Sequence, residues 1–381
     1  MSTTADTTEQ VQQDLVARAG AVGREIAAHA ERHDRDGTFV HEGITRLREE
    51  GLLSIAVPTE LGGAGATIRE VAAVQRELAK HCGSTALASS MHQHVTCFTA
   101  WRYRRGMPGA EATLRRIAKE GIILVSTGGA DLTRPRGDAV KVEGGYRVSG
   151  RKVFASLAPI GDVMSTMFRY EDPEQGERVL NMAVPIGDGV TVLDNWDTLG
   201  MRGTGSHDIV IDDVFVPEER VLANRPYGVI DPPLQVILSI AMPIVSAVYL
   251  GVAEGAYDAA LAAAGGKALD PVVQRQVGLM AHRLQIASWA LDGALHAVGD
   301  DPDPSVQRLA AVLDAKREVS LGAMEVCDLA IDVAGGAAFF KGSPIERAYR
   351  DIRAAKFHPL TPEQTLLRAG RLALGFPVDE Y

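Results

Sequence analysis

The hydrophobic pattern of the chain changes period twice, and this constrains the fold more than any other feature. From Thr8 to about Glu120 apolar residues recur at helical spacing, as in "ITRLREEGLLSIAVP". Between Ile122 and Leu222 they alternate, as in "HDIVIDDVFVP", which is typical of strands. From Leu234 onward, long Ala- and Leu-rich helical segments return. The pattern predicts an N-terminal all-α domain, a small central β domain and a C-terminal four-helix bundle.

Length and composition agree with several compact units. With 381 residues, 46% of them hydrophobic, we place the domains at 1–121, 122–224 and 225–381. The net charge of -10 leaves no basic stripe, so no nucleic acid partner is expected. The cysteines Cys82, Cys97 and Cys327 lack CxxC spacing, so neither a disulfide framework nor a metal site is expected. Together with an N-terminus that lacks the pattern of an export signal, this predicts a cytoplasmic protein.

One uncharged segment, Pro232 to Ala253, is about long enough to cross a bilayer. Its internal Pro243, its Gln235 and the amphipathic continuation "EGAYDAALAAA" favour a helix that is buried in a bundle or at a subunit contact. We therefore expect no membrane association. Because one bundle would struggle to cover such a helix, the segment also predicts an oligomer.

Three stretches identify a family. "GLLSIAVPTELGGAGAT", "WDTLGMRGTGSHDIVIDDVFVPEERVL" and "DVAGGAAFFKGSPIERAYRDIRAAKF" together resemble the acyl-CoA dehydrogenase superfamily of flavoproteins, in the same order as the domains above. The resemblance implies a flavin cofactor, either FAD or FMN, that is held between the β domain and the bundle. It also implies a homotetramer in which the flavin lies across a subunit contact.

The resemblance further implies a set of cofactor-binding residues. "VSTGG" matches the segment that binds the pyrimidine edge of the flavin, and "VFAS" matches the strand that presents an aromatic ring and a hydroxyl group to it. "MRGTGS" offers a cation and hydroxyl groups, although a polar hairpin turn explains it as well. The expected cofactor residues are Ser126, Thr127, Phe154, Ala155, Ser156, Arg202, Thr204, Ser206, Gln274, Gly335 and Gly336.

The chain departs from the dehydrogenase pattern at the catalytic base. Flavin-dependent desaturation of an acyl thioester requires a carboxylate to remove the α-proton. At the two positions where the family carries a glutamate, this sequence has Pro359 and Ala241. The Arg that reaches the FAD pyrophosphate in the family is also missing, and Lys267 is the only cation at hand there.

These departures resemble the monooxygenase branch of the superfamily. Its members take reduced flavin from a separate reductase and use O2 to oxidise a small organic substrate. A neutral imidazole suits this chemistry because it can accept or donate a proton without placing a fixed anion in the site. We therefore expect His358, and secondarily His92, to act as acid or base, with His94 a weaker candidate.

Two alternatives remain open from the sequence. Glu363 lies a few residues beyond the lost base, and the Pro359 to Pro362 turn could bring it back toward the flavin. The chain would then be a dehydrogenase with a displaced base. A flavin-fold scaffold without turnover is the second alternative, against which the retained "VSTGG" and "MRGTGS" argue.

Overall fold

The computed structural model describes residues 3–129 and 131–378. The first domain consists of helices. They are α1 (Thr3–Asp36), α2 (His41–Glu49), α3 (Ile68–His81), α4 (Gly83–Arg104) and α5 (Ala110–Glu120). α3 starts at a capping box, in which Thr67 and Glu70 bind each other's main-chain amides. The chain then enters the sheet through Gly121, whose left-handed backbone ends α5.

The middle of the chain forms an eight-stranded sheet. The strands are β1 (Leu124–Ser126), β2 (Asp138–Val142), β3 (Gly145–Lys152), β4 (Val163–Asp172), β5 (Gly176–Pro185), β6 (Val190–Val192), β7 (Ile209–Pro217) and β8 (Val221–Pro226). Seven of them lie in the order β6-β7-β3-β2-β4-β5-β8, and β1 pairs with β4 in parallel. The domain boundary expected at residue 224 falls inside β8, which continues to Pro226.

Helices return in the last third of the chain. They are α6 (Pro232–Ala264), α7 (Pro271–Val298), α8 (Val306–Ala334), α9 (Pro344–Asp351) and α10 (Pro362–Ala373). Asp231, Asp270 and Ser305 cap the three long helices by accepting hydrogen bonds from first-turn amides. α6, α7 and α8 pack on one another, and α10 packs on α8. The fold class predicted from the sequence is confirmed.

Helix α6, which contains the uncharged segment Pro232 to Ala253, lies at the centre of the molecule. It contacts α3 and α4 on one side and α7, α8 and α9 on the other. By length and composition it could cross a membrane, but 94% of its most apolar window is buried inside the protein. The expectation that α6 needs a second subunit to cover it is therefore wrong, because the chain covers it alone. Any assembly must depend on other surfaces.

The loop between β6 and β7 docks onto the end of α9. Gly200 lies against the main chain of Arg350, so closely that a side chain at position 200 would collide with it. The next residue, Met201, has a φ of 54°, a left-handed conformation that is uncommon for a residue other than glycine. Its amide donates a hydrogen bond to Oδ1 of the buried Asp351. This bond joins the β domain to the helices.

Replacing Asp351 tests this link through its pH dependence. Burial raises the pKa of Asp351 from 3.8 to about 6, although the bond from Met201 lowers it. The folded state therefore binds a proton that the unfolded chain has released, so this group makes stability fall as pH rises from about 4 to about 6. Asp351→Asn keeps an oxygen acceptor and removes the charge. We expect the variant to gain about 2–3 kcal/mol relative to the wild type between pH 4 and pH 7, in denaturant unfolding.

Asp351→Ala is the control, since it removes the titration and the acceptor together. It should show the same pH-dependent gain on top of a loss of about 1–3 kcal/mol at every pH. Equal pH dependence of the wild type and Asp351→Asn would contradict a raised pKa at this position.

Candidate active site

A chain of three hydroxyl groups lies where two loops of the β domain meet. Thr204 donates to the carbonyl of Met201 at 2.9 Å, and its oxygen lies 2.7 Å from Ser206 Oγ. Ser206 Oγ in turn lies 2.7 Å from Ser156 Oγ. Ala155 joins the same pair of loops, because its amide donates to the carbonyl of His207 at 3.2 Å. Four of the expected cofactor residues, Ala155, Ser156, Thr204 and Ser206, therefore lie together in the structure.

An exposed aromatic pair lies beside these hydroxyl groups. Phe154 is 59% exposed, has a φ of 57° and contacts the Trp196 ring edge-on, with centroids 5.9 Å apart. The indole N–H of Trp196 donates to the Met201 carbonyl at 3.1 Å, so the aromatic pair and the hydroxyl chain share one anchor. A large aromatic ring in a strained backbone conformation and open to water is unfavourable unless a flat partner covers it. The surface suits a planar ring with polar edges.

The end of β1 carries two further expected cofactor residues. Ser126 is half-buried opposite Ser165, and Thr127 donates to Thr166 Oγ1 at 2.7 Å. Gly129 follows, and a methyl group in place of its hydrogen would lie 4.0 Å from Pro359 Cδ. The "VSTGG" segment and the turn that carries His358 are therefore neighbours in space.

His358 is held from two sides. Its Nε2 lies 2.7 Å from the hydroxyl group of Tyr249, which is buried in α6. The buried ammonium group of Lys316 on α8 donates to the carbonyls of His358 at 2.7 Å and Leu360 at 2.6 Å, and so fixes the turn. No other hydrogen bond to the imidazole is found among the described residues.

The electrostatics around His358 keep its ring neutral. Burial lowers its pKa, and the positive charge of Lys316 and the neighbouring His94 lower it further. The residue is still partly open to solvent, so hydration of the cation is weakened and not abolished. Burial also raises the pKa of Tyr249 well above its usual range and lowers the pKa of Lys316 to about 8. At neutral pH the two groups are therefore a neutral imidazole and a neutral phenol, joined by one hydrogen bond between Nε2 and the hydroxyl oxygen.

His92 has a structural environment. It is fully buried, its Nε2 donates to the carbonyl of Leu53 at 3.0 Å, and its Nδ1 accepts from the amide of Leu124 at 3.0 Å. Both ring nitrogens are thus used to hold β1 against the helices, and burial lowers the pKa to about 4. The expectation that His92 offers a nitrogen to substrate does not agree with this geometry. His94, two positions later, is the histidine that approaches His358.

Two other expected residues lie apart from this cluster. Arg202 donates to the carbonyls of Asp34 and Thr198 and to the carboxylate of Asp197, at 2.7–2.9 Å, and so ties its loop to the end of α1. Glu363 is exposed in the first turn of α10.

The remaining expected residues gather at one end of the bundle. Lys267 Nζ lies 3.3 Å from the position that a Gly335 methyl group would occupy, and Gly336 follows at the end of α8. Gln274 is exposed in the first turn of α7, where its amide donates to the carbonyl of Ala268 at 3.0 Å. This end therefore offers glycine backbone and the flexible ammonium group of Lys267.

The arrangement favours proton transfer beside a flat ligand. The described residues include no group of three or more His, Cys, Asp or Glu side chains that could hold a metal ion. Tyr249, Lys316, Met201 and Asp351 were not anticipated as parts of the site. Of these four, only Tyr249 could have been suspected from its sequence neighbourhood, because its hydroxyl group lies in the uncharged segment Pro232 to Ala253.

Domain-family models match most of the chain. The acyl-CoA dehydrogenase N-terminal, middle and C-terminal domains match residues 7–106, 126–214 and 243–363. L-evernosamine nitrososynthase from Micromonospora is 31% identical, over 89% of this chain and 84% of its own. A probable FMNH2-dependent monooxygenase, SfnC, from Pseudomonas putida is 28% identical, over 89% and 90%. Cyclohex-1-ene-1-carbonyl-CoA dehydrogenase from Geobacter metallireducens is also 28% identical, over 93% and 95%.

Solved structures agree. KijD3 in complex with FMN and dTDP-3-amino-2,3,6-trideoxy-4-keto-3-methyl-D-glucose superposes with a TM-score of 0.84 and 29% identity, over 97% of this chain and 95% of its own. The shared fold, the length of the match and the named enzymes among the relatives lead to one conclusion. The chain belongs to the acyl-CoA dehydrogenase superfamily and is a flavin-dependent oxidoreductase.

Proposed function

We propose that the protein is a monooxygenase that takes reduced flavin from a separate reductase and uses O2 to oxidise a small organic substrate. The observation that carries the proposal is the environment of His358. The position expected for a dehydrogenase base holds Pro359, and the residue before it is a neutral imidazole bonded to Tyr249. Ala241, at the other family position, is buried in α6. No carboxylate is available at either place to remove an α-proton.

The flavin ring is proposed to lie against Phe154 and Ser156, with Ser126 and Thr127 at its pyrimidine edge. The exposed aromatic ring and the adjoining hydroxyl groups support this position. We favour FMN over FAD because the Arg that the family uses for the FAD pyrophosphate is missing and Lys267 lies near its place. The relative named for FMNH2 and the FMN complex of KijD3 also support FMN.

When bound, the reduced flavin supplies the electrons that activate O2. The protein's own part is to manage a proton. In the tautomer that this role requires, Nε2–H donates to the Tyr249 oxygen, so that Nδ1 of His358 has a free lone pair and can accept a proton from the substrate. Lys316 holds the turn so that this nitrogen keeps its direction.

A nitrogen of an amino sugar nucleotide is our preferred site of oxidation. It is favoured by the nitrososynthase relative and by the dTDP-sugar complex of KijD3. A neutral imidazole can accept the proton that the substrate nitrogen releases as it is oxidised. The reaction would occur in the cytoplasm, where a reductase can supply the flavin.

Flavin titration tests the proposed ring site. We expect reduced FMN to bind saturably, and Phe154→Ala to weaken binding about fivefold by removing an aromatic contact of about 1 kcal/mol. Phe215→Ala is the matched control, because Phe215 is another exposed aromatic residue of the β domain, on β7. Absence of binding for oxidised and reduced FMN and FAD alike would end the enzyme proposal.

His358→Ala tests the proton-transfer role. Removing a general acid or base slows chemistry by about 10² to 10⁴-fold, so O2-dependent product formation should fall that far while FMN affinity stays unchanged. The candidate substrates are amino sugar nucleotides, phenols and sulfur heterocycles. Product is detected by mass spectrometry as the addition of oxygen to the substrate. Because the pKa of His358 is lowered, its base form persists at acidic pH, and this group should cause no loss of rate as pH falls from 8 to 6.

The dehydrogenase alternative predicts the opposite pattern. Acyl-CoA substrates would then bleach the oxidised flavin, and Glu363→Gln would abolish the bleaching while His358→Ala would not. The exposure of Glu363 argues against this outcome. In our proposal Glu363→Gln has no effect on oxygenation and serves as the control.

We also propose a homotetramer. Large apolar side chains stay exposed on the helices of the last third, among them Trp289, Phe339, Phe340, Leu367 and Leu374. Light scattering should give about four times the chain mass of 40.6 kDa, and Phe340→Glu should lower it. Val140→Glu, at an exposed position of β2, should leave the mass unchanged. A wild-type monomer at micromolar concentration would contradict the assembly.

A further inference from the structure

The hydroxyl chain beside Phe154 has a fixed direction. A carbonyl oxygen can only accept, so the single hydrogen of the Thr204 hydroxyl points to Met201. Thr204 must then accept from Ser206, and Ser206, having used its hydrogen, must accept from Ser156. All three hydrogens point toward Met201.

This direction leaves Ser156 as an acceptor without a hydrogen to donate. Its Oγ makes no other hydrogen bond among the described residues. Thr204 and Ser206 are 0% and 4% exposed, so water has little access to them and does not reverse the direction of the hydrogen bonds. Ser156, at 6% exposure, is the least buried of the three and lies two residues from the exposed Phe154. A ligand there meets two lone pairs.

We propose that this oriented chain of the Thr204, Ser206 and Ser156 hydroxyl groups, called the relay below, makes the site selective for reduced flavin. Thr204 and Ser206 act as positioning residues, and Ser156 contacts the flavin. The inference rests on the proposed flavin site. The N5 atom of the isoalloxazine has a lone pair when oxidised and an N–H when reduced. An obligate acceptor attracts the N–H and repels the lone pair, so Ser156 distinguishes the two redox states of the ring. A site with a freely rotating hydroxyl could not do so.

The relay can be broken without damage to its anchor. Besides the Thr204 hydroxyl, the Met201 carbonyl accepts from the Trp196 indole at 3.1 Å and from the Thr204 amide at 3.2 Å. Thr204→Val, which is nearly isosteric, therefore leaves no unpaired carbonyl. It does deprive Ser206 of its acceptor, so that Ser206 can turn and donate to Ser156. Ser156 then has its own hydrogen free for the ligand.

The test measures the dissociation constants of oxidised and reduced FMN for each variant. In the wild type we expect reduced FMN to bind more tightly. In Thr204→Val the ratio of the oxidised to the reduced dissociation constant should fall about tenfold, roughly the effect of one hydrogen bond. This corresponds to a decrease of about 30 mV in the midpoint potential of the bound flavin, measured independently by redox titration.

Thr204→Ser is the matched control, because it keeps the hydroxyl and should keep the wild-type ratio. Ser206→Ala also frees the Ser156 hydrogen, and it replaces Thr204→Val if that variant does not fold. An unchanged ratio in both relay variants, or an equal change in Thr204→Ser, would overturn the relay while leaving the flavin site intact. Loss of all flavin binding by the wild type would instead overturn the proposed function and the relay with it.

Discussion

The site depends on one main-chain amide, that of Met201, and on the buried carboxylate that accepts its hydrogen. Asp351 is the last residue of α9, and Met201 lies in the loop that carries Thr204 and Ser206. The Met201 carbonyl, held in place by that bond, orients both the hydroxyl chain and Trp196. A carboxylate buried without a full counter-charge is costly, as its raised pKa indicates. This unfavourable burial occurs at the place where the hydrogen bond holds the β domain against the C-terminal helices.

The helical side of the site is organised by a buried cation. Lys316 has no carboxylate partner among the described residues, and it bonds instead to two carbonyls of the His358 turn. Its charge lowers the pKa of the imidazole, whereas a glutamate in the same place would be stabilised as an anion. Lys316 therefore gives the pocket an electrostatic preference against a second cation. In the proposed reaction this keeps the imidazole neutral, so that its lone pair is free when the substrate binds.

Periodicity and turn residues were enough to predict the fold, because the change from helical to strand period and back is a local property of the sequence. The β-domain side of the site was also accessible, since Ser156, Thr204 and Ser206 lie in short motifs. The helical side was not. Tyr249 and Lys316 reach His358 across more than forty residues of sequence, and no local pattern marks such contacts. His92 and His94, two positions apart on α4, point in opposite directions, and the sequence does not tell which one faces the site.

The two halves of the site use hydrogen bonding in complementary ways. The β domain presents Ser156 as an acceptor with no hydrogen, while the helices present an imidazole–phenol pair that shares one. In the proposed arrangement the first recognises the redox state of the cofactor and the second handles the proton of the substrate. The six residues between Asp351 and His358 join them, because the residue at one end of that stretch fixes the relay and the residue at the other end is the base. A displacement of α9 would therefore disturb both functions together.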